Sequence, residues 1–250
     1  MISKEIKFKI FHSHECLANL VNYLVNFKDG FVCILSSHGF SLALVDKNFN
    51  KVLMSSRANV PDGKPIALYA CFKYKRLVRR AYGPDLMITF FEHLNNFKKK
   101  KIFFLGGNSL IKSKIYSKIN LLYPNVQVVG FDTRFIMTND SDNSLINEIN
   151  KKKPDIVFVG IGCPKQELWM YKNHKKINSL LIGVGAAFDF FAETKKQAPK
   201  WVQHIYLEWL FRLVQEPRRL FMRYLKYNTI FVFHCCCMAI KFLCNKVCKK

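Results

Sequence analysis

The sequence predicts an α/β fold, a Rossmann-like parallel sheet with helices on both faces, followed by a helical C-terminal appendage that associates with a membrane. Up to about residue 184, short and continuously apolar runs alternate with amphipathic helical patterns. Apolar strands of this kind are typical of parallel sheets that are buried on both faces. Beyond that point the alternation stops, and basic and aromatic residues become frequent. We therefore predict an α/β domain over residues 1–194 and an appendage over residues 195–250.

The apolar runs and helical patterns give the predicted elements in chain order. The predicted strands are 31–35, 102–105, 126–131, 156–159 and 180–184. The predicted helices are 17–25, 85–97, 109–122, 144–150 and 164–177, with 200–213 and 217–226 in the appendage before an aromatic, cysteine-rich end. Ligands bind outside the carboxyl ends of parallel strands. Four segments follow strands and should line that edge: 36–38, 106–108, 160–162 and 183–185.

The chain is strongly basic, with 40 Lys and Arg against 17 Asp and Glu and a formal net charge of +23. A surface of this charge suits a polyanion, either nucleic acid or an anionic membrane. Residues 195–250 hold twelve basic and two acidic residues interleaved with aromatics. That mixture indicates a helix lying in a lipid interface, with a solvated basic tail as the alternative. The run 229–240 is too short to cross a bilayer.

The cysteines and acidic motifs do not indicate a metal site. None of the nine cysteines forms a Cys-x-x-Cys pair and no secretory signal begins the chain, so we expect reduced thiols in a cytosolic setting. His234 is followed by Cys235–Cys237, but consecutive helical residues point in different directions. Asp140–Asp142 formally match an Asp-x-Asp metal motif, which capping of the next helix explains adequately. We expect no metal and no cofactor.

The segment after the strand at 156–159 has features of an anion site. It lacks the third glycine of the dinucleotide fingerprint, since Lys165 stands in that place. Gly162 would let a ligand approach the backbone, and Lys165 and Gln166 would project from the first turn of a helix whose N–H groups attract phosphate. An ordinary strand-to-helix turn explains the same residues. Gly185 lies in a second glycine turn, after the strand at 180–184.

Two carboxylates and four arginines are further candidates. Asp62, between Pro and Gly, could be a general base or part of a common turn. Asp189 could bind the ribose or base of a nucleotide, or cap a helix. The guanidinium groups of the appendage could bind a departing diphosphate or the phosphates of a lipid, or form a solvated face. Those arginines are Arg212, Arg218, Arg219 and Arg223.

Several motifs occur in the order typical of one enzyme family. They are Pro-Asp-Gly (61–63), Gly-Cys-Pro-Lys-Gln-Glu (162–167), Gly-Val-Gly-Ala-Ala-Phe-Asp-Phe-Phe (183–191), Ala-Pro-Lys-Trp-Val-Gln (198–203) and the arginine-containing run 207–220. Together they resemble the WecG/TagA/CpsF glycosyltransferases. Members of that family move a sugar from a nucleotide diphosphate onto a lipid-linked saccharide at the membrane.

The resemblance implies roles for individual residues. Asp62 matches the proposed catalytic base, Gln166 a residue implicated in activity, and Asp189 a nucleotide contact. Ser36 retains the hydroxyl of the family's usual Thr-x-Asn, so it is a catalytic candidate. His38 replaces the asparagine of that motif, and this departure leaves the donor sugar undecided.

The hypothesis that follows is an inverting, metal-independent glycosyltransferase. It moves a hexose (N-acetylmannosamine, its uronic acid or glucose) from a UDP-sugar to a polyprenyl-diphosphate-linked saccharide in surface polysaccharide or teichoic acid synthesis. We expect a peripheral enzyme on the cytoplasmic face of the bacterial inner membrane, with homo-oligomers possible in the family and no nucleic acid bound. The alternative is a basic α/β nucleic-acid-binding protein without enzymatic activity. No RNP, KH or zinc-finger pattern accompanies the charge.

Overall fold

The protein has one six-stranded parallel sheet within the part of the chain that the computed structural model describes: residues 17–75, 77–97, 100–134, 143–205 and 207–247. The strand order is β2-β1-β6-β5-β3-β4, with every pair parallel. The strands are β1 Phe31–Leu35, β2 Ala58–Pro61, β3 Lys101–Gly106, β4 Gln127–Asp132, β5 Ile156–Gly160 and β6 Leu180–Gly183. The predicted Rossmann-like α/β class is confirmed.

Helices connect the strands and continue into the appendage. Those of the α/β domain are α1 Leu17–Leu24, α2 Ser37–Val45, α3 Lys47–Ser55, α4 Lys64–Tyr74, α5 Gly83–Phe97, α6 Ser109–Leu122, α7 Asn143–Lys152, α8 Lys165–Asn173 and α9 Ala187–Phe191. Those of the appendage are α10 Lys200–His204, α11 Glu208–Gln215 and α12 Pro217–Val247. The C-terminal segment is therefore helical, as predicted.

The helices cover both faces of the sheet because consecutive strand residues point to opposite sides. On β3, Phe104 belongs to the core under α1, α5, α6 and α9. Its neighbour Phe103 belongs to the core under α2, α3, α7, α8 and α12. Phe91 and Trp169 are buried on these two sides, respectively. Burial on both faces accounts for the continuous apolar runs of the sequence.

Strand β2 and helices α2 to α4 are not predicted from the sequence. β2 has only four residues, with Asn59 inside it and Pro61 at its end, so it lacks a recognisable strand pattern. Pairing with β1 defines it, with Pro61 opposite Leu35. The backbone N–H of Asp62 then donates to the Leu35 carbonyl oxygen at 2.9 Å. This edge strand places residue 62 at the carboxyl edge of the sheet.

The appendage differs from its prediction in two ways. The expected helix over 200–213 is interrupted, and α10 and α11 form separate helices. The expected helix over 217–226 continues instead to residue 247. Tertiary packing explains the extension: the Phe231 ring lies 5.8 Å from Phe40 and 6.3 Å from Tyr69, and Nε2 of His234 lies 3.3 Å from the Tyr69 hydroxyl. The aromatic, cysteine-rich end is thus part of one docked helix.

The appendage does not contain a spanning segment within the described residues. No helix there combines the length and the apolar character that crossing a bilayer requires. His234 packs against Phe40 and Tyr69, and no three His, Cys, Asp or Glu side chains of the described chain come together as a metal site. Asp140–Asp142 lie outside the described residues.

Candidate active site

Asp62 lies where three elements meet at the carboxyl edge of the sheet. Its backbone is tied to the end of β1, and the segment that leads into α5 returns beside it, with the Ala81 N–H donating to the Pro61 carbonyl oxygen at 2.8 Å. The Asp62 carboxylate accepts a hydrogen bond from the backbone N–H of Gly83, the first residue of α5. The start of a helix favours a carboxylate in this position. Asp62 as a whole is half-buried.

Charged side chains from the α/β domain and from the appendage converge on Asp62. Arg80 and Arg212 both act electrostatically on its carboxylate, together with Glu208. Nη2 of Arg212 donates to the Tyr82 hydroxyl at 3.1 Å. The Arg212 guanidinium also lies 5.0 Å from the centre of the Phe190 ring. The appendage therefore supplies part of the surroundings of Asp62.

The environment of Asp62 adjusts its proton affinity. The pKa of this carboxyl is raised from 3.8 to about 6, because burial and the charge of Glu208 outweigh the opposing effects of Arg212, Arg80 and the Gly83 hydrogen bond. A carboxylate whose pKa lies near 6 is ionised at neutral pH and is a stronger base than an ordinary aspartate. Burial also raises the pKa of Tyr82 to about 12, so the phenol stays protonated. The arrangement can accept a proton from a weakly acidic hydroxyl group.

Gln166 connects the two glycine turns at this edge. Its side chain is 3% exposed. Oε1 accepts from the backbone N–H of Gly162 at 3.2 Å and of Gly185 at 3.1 Å, and Nε2 donates to Glu167 at 2.8 Å. Both glycines have positive φ angles, of 88° and 57°, which favour glycine. With both ends of its amide engaged, Gln166 holds the loops after β5 and β6 together.

Replacing Gln166 by alanine should destabilise the protein. The substitution leaves two backbone N–H groups and one buried carboxylate without their partner, and each loss costs about 1–3 kcal/mol. Because the Gly162 and Gly185 N–H groups are only part-buried, each loss should lie near the lower limit, and we expect the free energy of unfolding to fall by roughly 3–4 kcal/mol in a denaturant titration. Gln215→Ala, at the surface-exposed end of α11, is the control and should change stability by less than about 0.5 kcal/mol. Equal stability of the two variants would contradict the bridging role.

Ser36 and His38 lie at the carboxyl end of β1. Ser36 is the N-cap of α2, and its Oγ accepts from the Gly39 N–H at 3.4 Å. The His38 ring packs against Tyr227 of α12 at 4.6 Å between centroids. Burial and then Arg223 lower the pKa of His38 to about 4. His38 is therefore neutral at physiological pH and can both donate and accept a hydrogen bond.

The four predicted arginines separate into two groups. Arg212 and Arg223 are partly buried and face the edge of the sheet; Arg223 acts electrostatically on His38 and Cys163. Nε of Arg223 is buried and finds no hydrogen-bond partner within the described chain. Arg218 and Arg219 are exposed, and Arg219 forms an ion pair with Glu216. Arg212 and Arg223 thus lie on the side of the appendage that faces Asp62 and His38, whereas Arg218 and Arg219 lie on its outer side.

Asp189 and Lys165 occupy the starts of two helices. Asp189 lies within α9, where its carboxylate is 3.4 Å from Nζ of Lys195. The ion pair joins the α/β domain to the beginning of the appendage. Lys165 is the first residue of α8 and is exposed. Both residues follow strands of the same edge, so neither is remote from the glycine turns that Gln166 connects.

Comparison with known proteins assigns the chain. Residues 4–243 match the glycosyl transferase WecG/TagA/CpsF family. The chain belongs to this glycosyltransferase family. A relative from Bacillus subtilis (strain 168), named N-acetylglucosaminyldiphosphoundecaprenol N-acetyl-beta-D-mannosaminyltransferase, is 34% identical over 71% of this chain and 68% of its own length. A relative of the same name from Bacillus spizizenii is 27% identical over 79% of this chain and 76% of its own length.

A member of the WecG/TagA/CpsF family is an enzyme that transfers a sugar, and the family assignment does not favour the nucleic-acid-binding alternative. The net charge of +23 fits both ideas. The placement of two arginines favours a small anionic ligand, because Arg212 acts on the Asp62 carboxylate and Arg223 on His38 at the carboxyl edge of the sheet. An extended basic surface would suit nucleic acid better.

Sequence reasoning missed several residues of this candidate site. Arg80 stands within a basic run, so nothing in the sequence distinguished it from its neighbours. Tyr82 begins the run Tyr-Gly-Pro-Asp-Leu-Met (82–87), which also resembles the family, but the resemblance implied no role for its phenol. Glu208 is one of only two acids among residues 195–250, and that rarity could have drawn notice. Glu167 directly follows Gln166; burial raises its pKa to about 7, which no sequence pattern indicates.

Proposed function

We propose that this glycosyltransferase moves an N-acetylmannosamine-type hexose from a UDP-sugar to a polyprenyl-diphosphate-linked N-acetylglucosamine, with inversion at the anomeric carbon. The two Bacillus relatives are named for this acceptor and this transferred sugar, which favours it over a uronic acid or glucose. The observation that carries the proposal is Asp62, a half-buried residue at the carboxyl edge of the sheet whose carboxyl has a raised pKa and faces Arg212 of the appendage.

The proposed reaction is a single displacement. The Asp62 carboxylate takes the proton of the acceptor hydroxyl while the hydroxyl oxygen forms a bond to the anomeric carbon of the donor. The bond between that carbon and the diphosphate oxygen breaks, and UDP leaves with the electron pair. Because the nucleophile attacks opposite the leaving group, the configuration inverts. Proton removal in the transition state by a positioned carboxylate contributes roughly 10²–10⁴-fold to such rates.

The departing diphosphate needs positive charge, and the inward-facing arginines supply it. Arg223 has a buried Nε with no partner in the described chain, and Arg212 retains its charge because Tyr82, Asp62 and Glu208 outweigh the effect of burial and raise its pKa. Fixed cations at the position where charge develops stabilise the transition state without reorganisation. We propose that these guanidinium groups do the work that a divalent metal does in other glycosyltransferases, so that no metal or cofactor is required.

The remaining residues at the carboxyl edge of the sheet have properties that fit the binding of the UDP-sugar donor. Gly162 and Gly185 leave the backbone accessible, and we propose that Gln166 keeps both turns in the shape that binds the nucleotide sugar. Lys165 adds a cation at the start of α8. We propose that Ser36 and His38 contact the donor sugar, since a neutral imidazole can form hydrogen bonds with hydroxyl and acetamido groups. We propose that Asp189 contacts the nucleotide.

The outer surface of the appendage fits an anionic membrane. Exposed apolar side chains are interleaved there with Arg218, Arg219, Lys226 and Lys241, a combination that favours a lipid interface. We call this surface the arm face; its apolar members are Trp201, Ile205, Leu207, Trp209, Leu210, Val214, Phe221, Met222, Leu225, Val232, Phe233 and Ile240. We propose a peripheral enzyme at the cytoplasmic leaflet, where the lipid-linked acceptor would be presented, with Arg218 and Arg219 at lipid or acceptor phosphates.

A donor panel tests the proposed reaction. Purified protein is incubated with a lipid-diphosphate-linked N-acetylglucosamine and, one at a time, the UDP derivatives of N-acetylmannosamine, its uronic acid, N-acetylglucosamine and glucose. We expect product mass to increase by one N-acetylhexosamine with UDP-N-acetylmannosamine, at the same rate in EDTA and in Mg²⁺. Transfer of another sugar would correct the donor, activity that EDTA abolishes would refute metal independence, and no transfer from any donor would refute the proposal.

A further inference from the structure

Glu208 connects the two arginines that face Asp62. Its Oε2 lies 3.0 Å from Nη1 of Arg80, and its Oε1 lies 3.4 Å from Nη2 of Arg212. Each carboxylate oxygen thus binds a different guanidinium group. Glu208 is the first residue of α11, and its side chain is only 18% exposed. Arg80 belongs to the α/β domain and Arg212 to the appendage, so Glu208 links the two regions beside the catalytic candidate.

A second contact strengthens this link. Nη2 of Arg80 donates to Oε1 of Gln203 in α10 at 2.6 Å, and Nε2 of Gln203 donates to the Ala198 carbonyl oxygen at 2.8 Å. Arg80 thereby binds both short helices of the appendage through separate nitrogen atoms. Guanidinium groups are suited to such forked hydrogen bonding. The orientation of Arg80, and through Glu208 that of Arg212, is consequently fixed by several directed contacts.

We propose that Glu208 is a positioning residue for sugar transfer, which holds Arg80 and Arg212 at fixed places beside Asp62. The inference rests on the proposed role of Asp62 as the base. Glu208 need not touch either substrate: it acts through the arginines. The same ionic contacts of Glu208 thus attach the appendage to the α/β domain and hold the two arginines beside Asp62. Breaking them would release both Arg80 and Arg212.

The network also balances charge around Asp62. The carboxylates of Asp62 and Glu208 face the guanidiniums of Arg80 and Arg212, with the Tyr82 hydroxyl and the Gly83 N–H as neutral neighbours. Without the negative charge of Glu208, Asp62 would face two cations alone. Cations near a carboxyl lower its pKa. Removing Glu208 should therefore make Asp62 a weaker base, besides loosening the arginines that surround it.

Glu208→Gln, which preserves the shape, tests this role in the full-length protein. Its amide oxygen can still accept from one arginine, so the cations stay near Asp62 while the negative charge is lost. We expect kcat to fall about tenfold or more, and the acid limb of the pH–rate profile to move to lower pH by about half a unit or more. Asp29→Asn is the control: Asp29 pairs with Arg57 just before β1, at the opposite edge of the sheet, and its loss should leave both quantities unchanged.

A second variant and two comparisons make the outcome decisive. Glu208→Asp keeps the charge but shortens the side chain. Its kcat should fall similarly, while the acid limb of its pH–rate profile moves less than in Glu208→Gln. If Glu208→Gln does not fold, the kcat of Glu208→Asp decides the question. Wild-type kcat in either variant, or an acid limb of Glu208→Gln that stays in place or moves to higher pH, overturns the proposal for Glu208. Full turnover by Asp62→Asn, in contrast, overturns the proposed base and this inference with it.

Discussion

Asp62→Asn should lower the rate of sugar transfer by about 10²–10⁴-fold, the contribution of a positioned general base. The amide cannot accept the proton of the acceptor hydroxyl, whereas its size is unchanged and its oxygen can still accept from the Gly83 N–H. UDP binding, measured by calorimetry, should therefore stay within about twofold of the wild-type value. In the wild type, kcat/KM should rise with pH through an apparent pKa of about 6, the value to which burial raises the Asp62 carboxyl.

Stability provides an independent check on the same variant. Because the pKa of Asp62 is raised on folding, the stability contributed by its bound proton is present below pH 3.8 and is lost as pH rises through about 6. Asp62→Asn should therefore melt at the same temperature as the wild type or higher at pH 8. Asp29→Asn, which alters an exposed ion pair with Arg57, is the activity control. Full turnover by Asp62→Asn would remove this carboxylate as the base.

Truncation after Lys195 should strongly reduce both membrane binding and sugar transfer. It removes the arm face together with the arginines that we assign to the leaving diphosphate. We expect sedimentation with vesicles of anionic phospholipid to fall about tenfold or more, and transfer to fall by at least about 10²-fold, as for the loss of one fixed transition-state contact. Unchanged sedimentation with lipid would refute the role of the appendage as an anchor.

A full-length variant separates the two effects of the truncation. Phe221, Leu225 and Phe233 are exposed on α12, away from the buried Phe231 that docks the helix. Replacing all three by serine should reduce vesicle binding while leaving transfer to a water-soluble acceptor near the wild-type rate. If this variant loses transfer to the soluble acceptor as well, the arm face would have a role inside the active site that its exposure does not explain.

Much of the fold follows from local sequence pattern. The strand predicted over 31–35 and the helix predicted over 109–122 have those same limits in the structure, because buried parallel strands are uniformly apolar and α6 has a clear capping asparagine at residue 108. β2 escaped prediction because its four residues become a strand only through pairing with β1. The sequence pattern did not predict the full length of α12, because its packing partners, Phe40 and Tyr69, lie far away in the sequence.

The sequence indicates the candidate site as a set of residue types, but not the network of contacts among them. Asp62 and Gln166 stand out because their motifs resemble the family, and parallel topology brings their strands to one edge. Sequence reasoning gave no indication that Gln166 uses its whole amide to connect Gly162 with Gly185. It also treated the four arginines as one group, with a diphosphate, a lipid phosphate or solvent as the alternative partners, whereas helix geometry turns Arg223 inward and Arg219 outward. Such distinctions depend on rotation about a helix axis, which composition does not specify.

Helix α12 is unbroken over 31 residues and so extends about 46 Å at 1.5 Å per residue. A continuous hydrogen-bonded helix of this length behaves as a stiff rod. Arg223 near its start and Phe231 near its middle therefore cannot change position independently. A contact on the outer side of α12 would therefore tilt the whole helix. The tilt would change the distance between the Arg223 guanidinium group and the residues at the carboxyl edge of the sheet, such as His38.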